Sequence, residues 1–551
     1  MTPGIRDAVI IGSGAGGGPL ALALSRAGLD VLVLEKGPRH RPEEYPADEL
    51  ANQRHRFFLP YLDGEPHTVV TPKTTRPVRT ELGWIATCVG GGTVHMGAFL
   101  YRFHPDDFRM RSRFGPVEEL ADWPFGYEEL EPYYTLAERE VGVAGQAGLN
   151  PFEGPRSGPY PLPPLDSHPL APWLEEACRK RGLHPFPTPR SINSRPYQGR
   201  PACIYCSACA GYGCRVGAKG STAEALLPRA EATGRCEVRP ECMVKEVTVD
   251  RQGRASGCIY LDREGREHEV PARVVFVCAS AVESARMLLL SRSPRFPDGL
   301  ANGSGRVGRH LQFHGVTMGQ GRFRIGDHPE LPLSAWHPFL GVSLMDHYFL
   351  PEGVSALPKG GLLRFDIDGT VPLATAEMVM GESEPVPWGA DLKRRLREHF
   401  QEHRTVGFEA FHDFLPNDRT FVELDPEVKD RWGLPVARIH LDVPEHHRIA
   451  GRWLLEHGFE ILDGLGAVDL RATSVGGTSA YLVHGTCRMG SDPRTSVLDE
   501  HCRAHEVPNL YVVDGSFMPT SGGAAPTLTI LANSFRVADH VLGRWRAGEL
   551  R

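Results

Sequence analysis

The segment from Asp7 to Glu35 restricts the possible folds more than any other part of the chain. A short apolar run, Asp7-Ala8-Val9-Ile10-Ile11, meets Gly12-x-Gly14-x-x-Gly17, then a helical stretch from Leu20 to Ala27 and a second apolar run, Val31-Leu32-Val33-Leu34. Continuous apolar strands on either side of a helix suit a parallel sheet covered on both faces. Small residues in the turn let the backbone approach a pyrophosphate, and the helix N-terminus favours its charge. An acidic side chain ending the second strand accepts hydrogen bonds from a ribose. Glu35 holds that position, 23 residues beyond Gly12. A glycine turn alone is a weak signal; set in this order of elements, it reads as a dinucleotide site rather than a bare βαβ unit.

Two later segments favour FAD over NAD. Gly90-Gly91-Gly92-Thr93 is a second glycine-rich loop, and Asn509-Leu510-Tyr511-Val512-Val513-Asp514 precedes a helix start at Pro526-Thr527-Leu528. A long cofactor held by three separated segments fits FAD, and a helix N-terminus beside the isoalloxazine stabilises negative charge on the reduced ring. The expected cofactor contacts are Gly12, Gly14, Gly17, Glu35, Gly91, Gly92, Thr93, His95, Asp514, Pro526 and Thr527.

These motifs, with Gly485-Thr486-Cys487-Arg488-Met489-Gly490, resemble the ordered flavin motifs of the glucose-methanol-choline (GMC) oxidoreductases. Phe103-His104-Pro105-Asp106-Asp107-Phe108 and Asp122-Trp123-Pro124 are similar to the branch containing the gluconate, fructose and glucose dehydrogenase flavoprotein subunits. The resemblance implies an α/β plus α+β chain: a discontinuous Rossmann-like FAD-binding domain with an inserted antiparallel-sheet substrate domain. At 551 residues the chain is too long for one core. The expected FAD-binding segments are 1–50, 80–110, 200–310 and 471–551, and the cap is 111–199 with 311–470. Helical pattern is expected from Glu118 to Glu140, an extended Pro-rich excursion over 150–202, and two short strands before the last helix. In some similar enzymes a His at the place of His95 is bonded to the flavin; the plainer expectation is a ring packed beside it.

Cys203-x-x-Cys206-x-x-Cys209-x-x-x-x-Cys214 is the most specific local signal. Its spacing is close to that of bacterial ferredoxins, which makes an iron–sulfur cluster the leading reading, ahead of zinc, whose structural sites separate two Cys pairs by a longer loop, and of bare thiols. A cluster beside a flavin takes electrons singly and conducts them to an external acceptor: a protein or quinone, with a small subunit or cytochrome as possible partner.

The family's catalytic His, three residues before Gly485, falls on Leu482, and its His or Asn partner falls on Ala525. Neither moves a proton. His484, expected on the same strand face as Leu482, is the best surviving base, with Tyr481 second. Three readings follow: a dehydrogenase for the CH–OH group of a fairly hydrophobic substrate; flavin chemistry on a C=C bond beside a carbonyl; or an inactive electron-transfer or scaffold subunit. A net charge of −7 gives no basic surplus for nucleic acid, and no apolar stretch is long enough for a transmembrane helix, so a cytoplasmic protein acting on a small molecule is expected.

Overall fold

A computed structural model describes residues 4–54, 57–328, 340–367, 372–381 and 385–550; parts of the expected 311–470 cap therefore lie outside the described residues. Five strands run parallel in the order Cys236–Arg239, Val31–Leu34, Arg6–Ile11, Glu267–Val277 and Leu510–Val512. All four residues of Val31–Leu34 are buried, as expected for a parallel strand covered on both faces. Helix Gly17–Arg26 stops where Gly28 takes φ +91°, a left-handed conformation that only glycine adopts freely. It packs on helix Thr527–Arg546, and Ser534 Oγ donates to Gly16 O at 2.5 Å. The first half of Glu267–Val277 leaves the parallel sheet and pairs antiparallel with Ala255–Leu261.

A six-stranded antiparallel sheet forms the cap, in the order Asp469–Thr486, Arg309–Arg324, His403–His412, Gly361–Ile367, Val342–Leu344 and Phe186–Pro187. One face packs on helices Ala171–Lys180 and Glu445–Asp463 through Phe323, Phe365, Val406, Phe408, Leu454 and Leu462. Gly319 and Gly458 make the close approach possible. A Cβ on either would lie 2.5 or 2.3 Å from the Phe408 ring. The opposite face of the sheet looks towards the glycine-rich loops.

Several expectations shift. The helix expected over 118–140 starts at Tyr127, because residues 118–126 form turns around Trp123 and Gly126. It packs on Thr527–Arg546 within the same core as the parallel sheet, although 111–199 was assigned to the cap. The Pro-rich 150–202 stretch contains a ten-residue helix, Ala171–Lys180, whose Pro172 sits in the first turn where its missing N–H costs nothing. In place of two short final strands, one 18-residue strand, Asp469–Thr486, links the cap sheet to the flavin motifs, and only Leu510–Val512 is short.

Candidate active site and cofactor cavity

A cavity of about 630 Å³ runs from Glu35 to the cap sheet. Gly12, Gly14, Gly91, Gly92, Thr93, His95, Asp514, Pro526 and Thr527 line it, as does Glu35; Gly17 does not. Gly17 instead lets helix and turn meet, since a Cβ there would stand 2.0 Å from Gly12 O. Gly12 has φ +100° and no room beside Cys278 O, at 2.3 Å. Gly14 differs: a Cβ there meets nothing closer than Gly90 O at 3.8 Å, so it opens into the cavity. These properties fit a turn that holds a pyrophosphate.

The two glycine loops are locked by hydroxyls that the motif reading passed over. Ser13 Oγ donates to Glu35 Oε2 at 2.6 Å and accepts from Gly90 N at 2.8 Å. Thr222 Oγ1 donates to Ser13 O at 2.8 Å, and its backbone N donates to Thr93 Oγ1. At the far loop Asp514 accepts from Ser280 N, Ser284 Oγ, Ser516 N and Ser516 Oγ. Burial pushes the Glu35 and Asp514 carboxyls up, against the pull of these serine donors. Helix Thr527–Arg546 begins at the cavity wall, and its first-turn amides have no intrahelical acceptor. A long, doubly charged dinucleotide carrying a redox ring fits this donor set.

The ring end of the cavity is walled by Met96, Leu482, Val483 and Ala525, with Phe99 and Phe411 above. His484 does not line it. Strand pairing explains why: Phe313 pairs with Val483 and Gly315 with Thr478, so residues 479–482 bulge out opposite His314. A bulge breaks the two-residue period and re-aims side chains. Ser479, Tyr481 and Leu482 thereby reach the cavity, while His484 turns inward against His314, ring centroids 5.7 Å apart. Neither His484 ring nitrogen has a hydrogen bond of good geometry among the described residues, and burial pushes its pKa down to about 3 against a contact with the Gln312 backbone. His95 lines the cavity, stacks on Phe58 (5.5 Å, 13°) and meets Tyr481 edge-on at 6.4 Å. Burial, then the Lys219 charge, pushes its pKa down to about 4.

The cysteine loop lies directly behind this wall. Gly211 N donates to His95 O at 2.8 Å, and Ala210 and Gly211 line the cavity. Cys203, Cys209 and Met96 pack against the same buried pair, Ala98 and Ile192. Burial pushes the Cys203 thiol up to about 12 and raises Cys209 as well. Among the described residues, the one trio with ligand atoms all within 4.8 Å of one another is Glu119, His310 and Asp418, not the cysteines. A single zinc would bring thiolate sulfurs to about 3.8 Å from one another. Lys219, 1% exposed, donates to Val94 O, Met96 O, Cys209 O and Tyr212 O, and among the described residues no carboxylate is within ion-pair distance. A buried ammonium held only by carbonyls lacks a counter-charge.

Family models described as GMC oxidoreductase match residues 79–316 and 416–534, and one described as FAD binding domain matches 7–43. The chain is 32% identical to 2-methyl-1,2-propanediol dehydrogenase of Mycolicibacterium austroafricanum, over 98% of this chain and 95% of the relative. The chain belongs to the GMC oxidoreductase family. It is an FAD-dependent oxidoreductase. Other GMC relatives include paromamine 6'-oxidase of Streptomyces fradiae (34% identity; 98% of this chain, 91% of the relative). The large subunit of fructose dehydrogenase from Gluconobacter japonicus is 29% identical over 98% of both chains. The GMC fold recurs in pyridoxine 4-oxidase from Mesorbium loti (TM-score 0.62, 20% identity, 97% and 99% coverage). It recurs also in formate oxidase from Aspergillus oryzae (TM-score 0.65, 16% identity, full coverage of both chains). Among the described residues, no helix is long and apolar enough to cross a membrane.

Proposed function

We propose that the protein oxidises an alcohol carbon held against Leu482 and Ala525, in a site that is apolar around the reacting centre. The observation that carries this reading is the continuity of the cavity, which joins the glycine cradle, the start of helix Thr527–Arg546 and the apolar wall in one space. Bound FAD supplies a hydride acceptor at flavin N5. The wall of Met96, Leu482, Val483 and Ala525 excludes water and favours hydrocarbon at about 25 cal/mol for each Å² buried. His95 is the imidazole at this end of the cavity, and Tyr481 bears on its ring. Neutral above about pH 4, His95 takes the hydroxyl proton at a ring nitrogen while Tyr481 fixes the ring, the part first expected of His484. Segments 1–50, 80–110, 200–310 and 471–551 hold the cofactor in this reading, and the 311–470 sheet roofs the substrate.

Anaerobic mixing with a panel of primary and secondary alcohols tests it through flavin bleaching. His95→Ala, with flavin retained, is expected to slow reduction by a factor of about 10² to 10⁴. An unchanged rate removes His95 from the mechanism. The loss of both usual proton-handling side chains also favours a second reading, C=C chemistry beside a carbonyl; reoxidation of dithionite-reduced enzyme by an enone, with no alcohol active, would establish it.

An iron–sulfur centre on Cys203, Cys206, Cys209 and Cys214 is proposed as the electron exit to an external acceptor. The uncompensated Lys219 charge and the contact between the loop and the cavity wall support it, because an anionic cluster supplies the missing counter-charge next to the flavin. Iron and acid-labile sulfide are expected in the purified protein. Cys206→Ser is expected to cut dye reduction at least about tenfold while flavin reduction by substrate persists. Protein free of iron and sulfide, with full dye reduction, would refute the exit route.

A further inference from the structure

The cavity is apolar around Leu482 and Ala525, but the cap roof is charged. Arg364 and Glu409 pair in register across adjacent strands, and both line the cavity beside Phe99 and Phe411. Arg364 is fully engaged at its two terminal nitrogens. Nη2 donates to Glu409 Oε2 at 2.6 Å and Nη1 to Asp366, with the guanidinium carbon 4.4 Å from the Phe99 ring centroid. Asp366 in turn lies 3.6 Å from Arg190. The alternating row Arg190, Asp366, Arg364, Glu409 ends on a carboxylate.

That carboxylate differs from the others on the cavity wall. Both oxygens of Glu35, Glu65, Glu283, Asp430 and Asp514 already meet protein donors. Glu409 Oε1 has none among the described residues, and the side chain is 21% exposed. Its place in the sheet says what it serves. Glu409 pairs with Met318, four residues along the strand from His314, and the bulge that carries Leu482 lies opposite His314. Four strand residues span roughly 13 Å. Glu409 therefore sits further along the roof than the Leu482 bulge, on the side where the far end of an elongated substrate would lie.

Resting on the alcohol-oxidation reading, we infer that Glu409 Oε1 is a specificity group that accepts an O–H or N–H donor from the non-reacting end of the substrate. The substrate class is an elongated alcohol, apolar near the oxidised carbon and carrying a hydroxyl or ammonium at its distal end. Arg364 holds the carboxylate in place and neutralises part of its charge, so neutral hydroxyl and cationic amine remain the two sources to be told apart.

The test compares 1-octanol, 1,8-octanediol, 8-amino-1-octanol and 8-hydroxyoctanoate as anaerobic reductants of the flavin-loaded protein. For the wild type, KM for the diol or the amino alcohol is expected at least about tenfold below that for octanol, with the carboxylate poorest. Glu409→Leu should raise the favoured KM by about tenfold or more and leave octanol unchanged. Glu409→Gln should keep the diol, because an amide oxygen still accepts, but lose any gain from the amine. Equal KM values for octanol, diol and amino alcohol in the wild type, or the same preference in Glu409→Leu, would overturn the inference. If no alcohol bleaches the flavin, the oxidation reading fails separately, and binding followed by flavin difference spectra decides. Tighter, Glu409-dependent binding of diol or amino alcohol supports the site, and equal binding overturns it.

Discussion

Lowering the pH from 7 towards 5 is expected to unfold this protein over a narrow range. His314, His412, His446, His447 and His484 are buried around the junction of the cap sheet and the Glu445–Asp463 helix. Ring nitrogens on each of them lack partners among the described residues. Burial, reinforced in all but His484 by neighbouring charges, pushes His446 and His447 down to about 4, His484 to about 3, and His314 and His412 well below their ordinary value. In the unfolded chain each titrates near 6.5. Below that pH the unfolded state takes protons that the folded state refuses, so stability falls by about 1.4 kcal/mol per histidine for each further pH unit. Five such groups approach about 7 kcal/mol per unit, against a total of about 5–15 kcal/mol for a folded domain. Carboxyls act in the opposite sense. Asp413, raised to about 6, together with Glu35 and Asp514, binds protons in the folded state first and offsets part of the loss at lower pH. Far-UV circular dichroism and tryptophan fluorescence should show one cooperative transition between about pH 6 and 4.5. Replacing His412 and His447 by Gln should move its midpoint lower. A native signal persisting to pH 4 would contradict the linkage.

Gly14→Val is expected to give a folded protein with almost no flavin. The Cβ at this position has open space towards the cavity, at 3.8 Å from Gly90 O, so the added branches occupy the volume of the cofactor rather than collide with the backbone. Flavin content should fall at least tenfold from stoichiometric, with the thermal midpoint of the stripped protein matching stripped wild type. Gly12→Ala is the contrasting variant. Its Cβ would sit 2.3 Å from Cys278 O at φ +100°, so the parallel sheet itself is strained and soluble yield should drop. Full flavin occupancy in Gly14→Val would mean that this turn does not hold the pyrophosphate.

The parallel strands, the glycine turn between them and the place of Glu35 at the cavity were legible in the sequence because their signals are local. A buried strand shows its continuous apolar run, and a turn that must admit a phosphate shows its glycines. Gly90–Thr93 and Asp514–Thr527 were legible for the same reason, as was the sheet-rich character of 311–470. Ser13, Thr222 and Ser284 were not, because a hydroxyl that locks two distant loops looks like any other hydroxyl in its own segment. Only the tertiary structure decided which way 479–484 points. A bulge is set by pairing with the Arg309–Arg324 strand far away in the chain, and with four residues opposite one, Leu482 and His484, which a two-residue alternation puts on one face, are sent to different sides. The charged roof was hidden for a related reason. Arg364 and Glu409 are neighbours only across paired strands, and the counter-charge of each is a property of the sheet rather than of the sequence around it.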